Sequence, residues 1–191
     1  MEMEVENRMK AGEERVPVID LSSYFQLDNY SDGDRENASR KLDQVCGEVG
    51  LFKLRGTGIL KSKAVWMLDW IRRFFESASN DIKYQMELDR KSGRGYQKLG
   101  QNVTKGEPDQ HEGIDMYHRI SKERLELMMN GFENWLETKE KQEMFMEFAS
   151  GNNRWPEDQE WNEMRDVVLD WIEDMKRVGY VVMKALQDAT R

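Results

Sequence analysis

Few side chains in this sequence could ionise, attack or bind a metal at neutral pH. The 191 residues include two histidines, His111 and His118, and one cysteine, Cys46. The one local gathering of such groups is His111, Glu112, Asp115 and His118. Two histidines and a carboxylate are the ligand types of a mononuclear iron site. On a helix, His111, Asp115 and His118 would share a face. Pro108 and Gly113 interrupt that helix, and the alternation of Met116, His118 and Ile120 with Asp115, Tyr117 and Arg119 reads as a strand. In a strand His111 and Asp115 face one way and His118 the other. The favoured reading is two ordinary histidines in a polar hairpin, with the His111, Asp115, His118 iron site as the alternative. No nucleophile elbow, Walker loop or H-E-x-x-H sequence occurs, and Gly93-Arg94-Gly95 is too short for a phosphate loop. No catalytic residue is therefore assigned.

The elements that must position these groups follow from periodicity. Val16-Pro17-Val18-Ile19-Asp20-Leu21 is a β-branched run whose Pro17 suits a strand start or an edge. Residues 29–37 are polar and read as a surface loop. Ala38, Leu42, Val45 and Val49 then recur at four, three and four residues, predicting a helix stopped by Gly50. Cys46 lies beside that apolar face as a small core residue. Leu51 to Arg55 alternates as a strand, ended by Gly56 and Gly58. Ser62 is a candidate N-cap for a helix whose stripe is Ala64, Leu68, Ile71 and Phe75, widened by Met67 and Phe74. Residues 91–106 hold four glycines and predict a loop with short extended pieces.

From 121 to 149 the composition shifts to Glu, Lys, Met and aromatics, with Leu125, Met128, Phe132 and Trp135 at helical spacing. This segment reads as a solvated helix, and its Met and aromatic stripe is also suited to a partner's groove. Pro156 stands where a further helix should begin. Trp161, Met164, Val168, Ile172, Met175, Gly179, Val182 and Leu186 continue it at three- and four-residue steps, for about 40 Å at 1.5 Å per residue.

Bulk properties exclude several classes. The net charge of −8 lacks the clustered Lys and Arg that phosphate backbones require, so no nucleic acid is expected. Mean hydropathy is −0.86, and no apolar stretch approaches a bilayer's thickness. Residues 1–15 alternate acid and base without an apolar core, predicting a disordered tail and, by default, a cytoplasmic location. The six tryptophans read as core anchors, since acidic surroundings do not suit base stacking. Cys46 alone allows no internal disulfide.

Taken in order, these segments resemble the N-terminal region of the isopenicillin N synthase-like dioxygenases, a branch of the non-haem iron(II), 2-oxoglutarate oxygenases. Val16 to Leu21 is similar to the family's opening strand, and LDQVCGEVGLFKLRGTGI, Leu42 through Ile59, to its helix, strand and turn. Where that family has Asn-His-Gly, this sequence has Gly56-Thr57-Gly58. Phe74-Phe75 followed by Lys83 resembles the family's "FF … K". Gly95-Tyr96 with Asp109, Glu112 and Asp115 resembles the "GY … E … D" stretch that lines one side of its pocket. Gly151-Asn152-Asn153-Arg154-Trp155-Pro156 resembles its G-x-N-x-W-P.

The resemblance implies a helix-rich α+β fold, incomplete because the double-stranded β-helix of the family lies beyond these segments. Residues 16–191 would be the dioxygenase N-terminal region, with a helical insertion at 121–149. Gly95 and Tyr96 become substrate-pocket candidates. Neither His111 nor His118 stands in the family's His-x-Asp, so its iron(II) triad, and the Arg-x-Ser that follows that triad and holds 2-oxoglutarate, are not matched by these segments. The expectation is thus an oxidoreductase portion that does not turn over by itself, its small-molecule substrate and both cofactors belonging to a full-length form. The other class left open is a non-catalytic helical module, self-associating or binding a partner through the 157–189 helix.

Overall fold

The computed structural model describes residues 16–129 and 137–190. The expected tail at 1–15, and Phe132 and Trp135, lie outside the described residues. The described residues divide into two compact units, one formed by 16–64 and 174–190, the other by 65–129 and 137–173.

In the first unit, β1 (Val18–Asp20) pairs in parallel with β2 (Lys53–Arg55), Ile19 opposite Leu54. Between them come α1 (Ser22–Phe25) and α2 (Asp32–Glu48). Parallel strands need such a crossover, because a tight turn cannot return the chain in the same direction. Helix α2 begins well before the apolar periodicity does, which corrects the expected loop at 29–37. Ser31 and Asp34 form a reciprocal capping box. That satisfies backbone N–H groups that a helix start otherwise leaves open. Ile19, Leu21, Tyr24, Leu42, Val45 and Ala185 form this unit's core, with Cys46 packed at its margin.

The next helix, α3, runs Lys61–Ser77. Ser62 is therefore inside it and not its cap. The buried residues of α3 are Met67, Trp70 and Phe74, whereas Leu68 and Ile71 are exposed. The core face is rotated from the expected stripe. In the second unit α4 (Asn80–Gln85) is capped by Ser79. Strand β3 (Gly95–Gln97) pairs antiparallel with β6 (Gly113–Asp115), and the excursion between them pairs β4 (Val103–Thr104) with β5 (Glu107–Pro108). The strand thus ends where the sequence pattern at 116–120 suggested one would run. Helices α5 (Lys122–Met129) and α6 (Lys139–Ser150) follow.

A 3-10 turn, Gln159–Trp161, leads into α7 (Asn162–Ala189), 28 residues long. Pro156 precedes that helix by six positions and does not start it. Phe74 is the centre of the second core, its ring 5.5 Å from Trp161 and 6.4 Å from Tyr96 in edge-on arrangements. Trp70 and Trp161 are buried there, while Trp66 is half exposed. Among the described residues every strand is two or three residues long and no sheet exceeds two strands, a helix-rich α+β arrangement without a barrel. No helix among them is long and apolar enough to cross a membrane.

Candidate functional site

Residues of two of the resembling motifs, scattered over the sequence from Phe75 to Glu112, meet in the second unit. Lys83, on α4, is 7% exposed. Its Nζ donates to the Phe75 carbonyl at 3.0 Å and to both Glu112 carboxylate oxygens at 3.0 and 3.3 Å. The Tyr96 hydroxyl donates to the same carboxylate. The ammonium also lies 5.9 Å from the Phe75 ring centroid and 5.8 Å from that of Tyr96. A buried charge needs such partners, because removal from water is otherwise expensive.

Electrostatics follow from that geometry. Burial works against ionisation of Glu112, but hydrogen bonds from Tyr96 and Lys83 outweigh it and hold the carboxyl below its ordinary range. Burial first, then the Glu112 hydrogen bond and charge, pushes the Tyr96 phenol well up. At neutral pH the Glu112 carboxyl is therefore ionised and the Tyr96 phenol neutral. Each of the three groups is engaged with another inside the cluster.

Backbone geometry fixes Tyr96 as firmly as its side chain does. Gly95 has φ 127°, and a Cβ there would lie 2.5 Å from the Met86 carbonyl oxygen. The Tyr96 N–H donates to that oxygen, and the Tyr96 carbonyl accepts from Leu88 N–H at 3.0 Å. Gly95 and Tyr96 are both buried. Lys83 and Glu112 were not singled out as site residues from the sequence. The signal was present in the K of "FF … K" and the E of "GY … E"; Glu112 had been weighed only beside the histidines, and nothing in the sequence paired it with Lys83.

The histidine cluster is not assembled. His111 Nδ1 is 3.8 Å from the Asp109 carboxylate, His118 Nδ1 is 2.9 Å from that of Glu173, and Asp115 accepts from the Gln97 amide. Among the described residues no three His, Cys, Asp or Glu gather where one ion could reach them. These residues do not fit an iron site.

Beyond β6 the chain borders an open groove of about 600 Å³, with Tyr117 to Arg119 on one side and Arg165 to Glu173 of α7 on another. Asn153 clamps the near wall, accepting from the Tyr117 N–H at 3.0 Å and donating to the Tyr117 carbonyl at 2.9 Å. Asn153 belongs to the G-x-N-x-W-P segment, so that motif positions the stretch leaving the hairpin.

A family described as "non-haem dioxygenase in morphine synthesis N-terminal" matches residues 16–158. A homoarginine-6-hydroxylase of Glycine max is 35% identical over 128 residues, 63% of this chain and 38% of the relative. An Arabidopsis thaliana homoarginine-6-hydroxylase is 29% identical over 168 residues, 85% of this chain and 45% of the relative. A 2-oxoglutarate-dependent dioxygenase of Penicillium crustosum is 27% identical over 185 residues, 93% of this chain and 49% of the relative. The chain spans less than half the length of these relatives.

Proposed function

The chain belongs to the non-haem dioxygenase N-terminal family, and on that premise we propose that it supplies the substrate-side part of an iron(II), 2-oxoglutarate-dependent oxidoreductase. The observation that carries the reading is the convergence of Phe75, Lys83, Tyr96 and Glu112, residues of two separate family motifs, on one buried ion pair. Gly95 and Tyr96 then shape the pocket from behind: they hold the hairpin whose outgoing end, residues 117–119, faces the open groove. Iron(II) and 2-oxoglutarate would supply the oxidising chemistry in the full-length form. The chain by itself is expected to show no turnover.

Sequencing the transcript across and beyond the Arg191 codon tests the reading. A downstream His-x-Asp, a distant His and an Arg-x-Ser, with substrate-dependent succinate release by the product of that longer frame, are expected. Homoarginine, for which two of the relatives are named, is the first substrate to try. A stop codon directly after Arg191 would overturn the oxidoreductase reading in favour of a non-catalytic helical module.

A further inference from the structure

The groove bordered by residues 117–119 and α7 has a charge pattern at odds with the chain around it. The protein carries a net charge of −8. Yet Arg119, Arg165 and His118 line this groove against a single carboxylate, Glu173. His118 and Glu173 are engaged with each other at 2.9 Å, so within the groove's lining the two guanidinium groups face no further carboxylate. Arg119 donates Nε to the Ser150 carbonyl at 3.1 Å, and its charge also acts on the exposed Glu123 carboxyl outside the groove. Arg165 is exposed. Aromatic surface comes from Tyr117 and Trp155, which also line the groove.

From this we infer that the groove is a binding site for a small carboxylate attached to a flat or apolar body. Guanidinium is the side chain best matched to carboxylate, because its planar fork presents parallel N–H donors and its face accepts apolar neighbours. The Asn153 clamp makes the wall that carries Arg119 a fixed one, so the site is formed before the ligand arrives. Only the identification of that carboxylate with an enzyme's substrate rests on the proposed oxidoreductase reading.

The test uses the chain as it stands, with benzoate and its neutral isostere benzamide as probes, followed by NMR of the Trp155 indole and His118 ring and by calorimetry. Benzoate is expected to shift both signals saturably at millimolar concentration, and benzamide is not. Arg165→Gln and Arg119→Lys should each weaken benzoate roughly five- to tenfold, in line with loss of a charge-assisted bond. Arg154→Gln, an exposed arginine outside the groove, should leave affinity unchanged, and melting curves verify that each variant folds. Equal binding of benzamide, benzoate affinity insensitive to Arg165→Gln in a folded variant, or absence of any shift would each overturn the site. Saturable benzoate binding beside a stop codon after Arg191 would keep the groove and remove the oxidoreductase. A longer active frame with no benzoate effect would do the reverse.

Discussion

Glu112 is the residue on which the buried cluster turns, because it is the one anion facing both the Lys83 ammonium and the Tyr96 hydroxyl. Glu112→Gln would leave a largely buried cation without a counter-charge. Fully buried pairs lose about 3–5 kcal/mol when broken, and the Glu112 side chain, 30% exposed, should lose less, about 1–3 kcal/mol. The sign of its pH dependence is fixed. A carboxyl held low in the folded state contributes stability that is complete above its unfolded range near 4.5 and drains as pH falls through the folded value. The gap in melting temperature between wild type and Glu112→Gln should therefore be widest at neutral pH and close in acid; a gap that grows in acid would refute the assignment. Asp20 behaves alike on the surface: bonds from the Ser22 hydroxyl and N–H, then Arg55, hold it at about 2. Ser22→Ala should raise that value in an NMR titration. Gly95 is a steric counterpart. Any side chain there meets the Met86 and Glu87 carbonyls and is held at φ 127°. Gly95→Ala should cost about 1–3 kcal/mol, from strain and overpacking together, in a denaturant melt.

At the scale of elements, the differences between periodicity and structure have physical causes. Helix α3 carries Val65, Trp66, Met67, Leu68, Trp70, Ile71, Phe74 and Phe75, apolar residues around more than half its circumference. A pattern that wide does not select one face; the aromatic partners Tyr96 and Trp161, distant in sequence, select Met67, Trp70 and Phe74. The start of α2 was legible in local chemistry that hydrophobic spacing overlooks, since Ser31-x-x-Asp34 is a capping signature inside a polar run. Ser31→Ala should accordingly cost about 1 kcal/mol and fray residues 32–35 in hydrogen exchange. What packs against the end of α6 was not legible at all, although the expected helical segment at 121–149 stops within one residue of it. Arg94, 1% exposed, donates to the Phe148 and Ser92 carbonyls and lies 5.2 Å from the Tyr117 ring centroid, while its Nε has no partner. Burial draws its pKa down. Gly151 leaves room for it, since a Cβ there would lie 2.9 Å from the guanidinium. A buried cation on a helix's last carbonyls follows from the dipole, but nothing in Gly93-Arg94-Gly95 announces which helix arrives there. The motif letters located the site's neighbourhood, and only the folded backbone brought Lys83 to Glu112.

At the scale of the whole molecule, the apolar surface that remains open decides how the chain should behave in solution. The apolar stripe of α7 divides: Val168 is buried, and Ile172, Val182 and Leu186 pack against the two cores. Met175 of that stripe is exposed, at 37%, and outside the stripe so are Tyr180 and Met183, at 74% and 66%, one turn apart on the same helix. Leu68 and Leu60, at 60% and 71%, add further apolar area. A large side chain left in water forgoes about 1.5–3 kcal/mol of burial. Several such losses weigh heavily against the 5–15 kcal/mol, roughly, that stabilises a domain. Exposed apolar surface of this kind favours association, and association that buries it raises stability with concentration. The chain is expected to self-associate through the Tyr180 and Met183 face, so its melting temperature should climb across a concentration series. Sedimentation should show a matching shift in mass, reduced in a Tyr180→Ser, Met183→Ser double variant. Those two side chains are already in water in the monomer, so the double variant should melt like wild type at high dilution and diverge only as concentration rises. A monodisperse monomer with a concentration-independent, cooperative melt would refute this account of the surface.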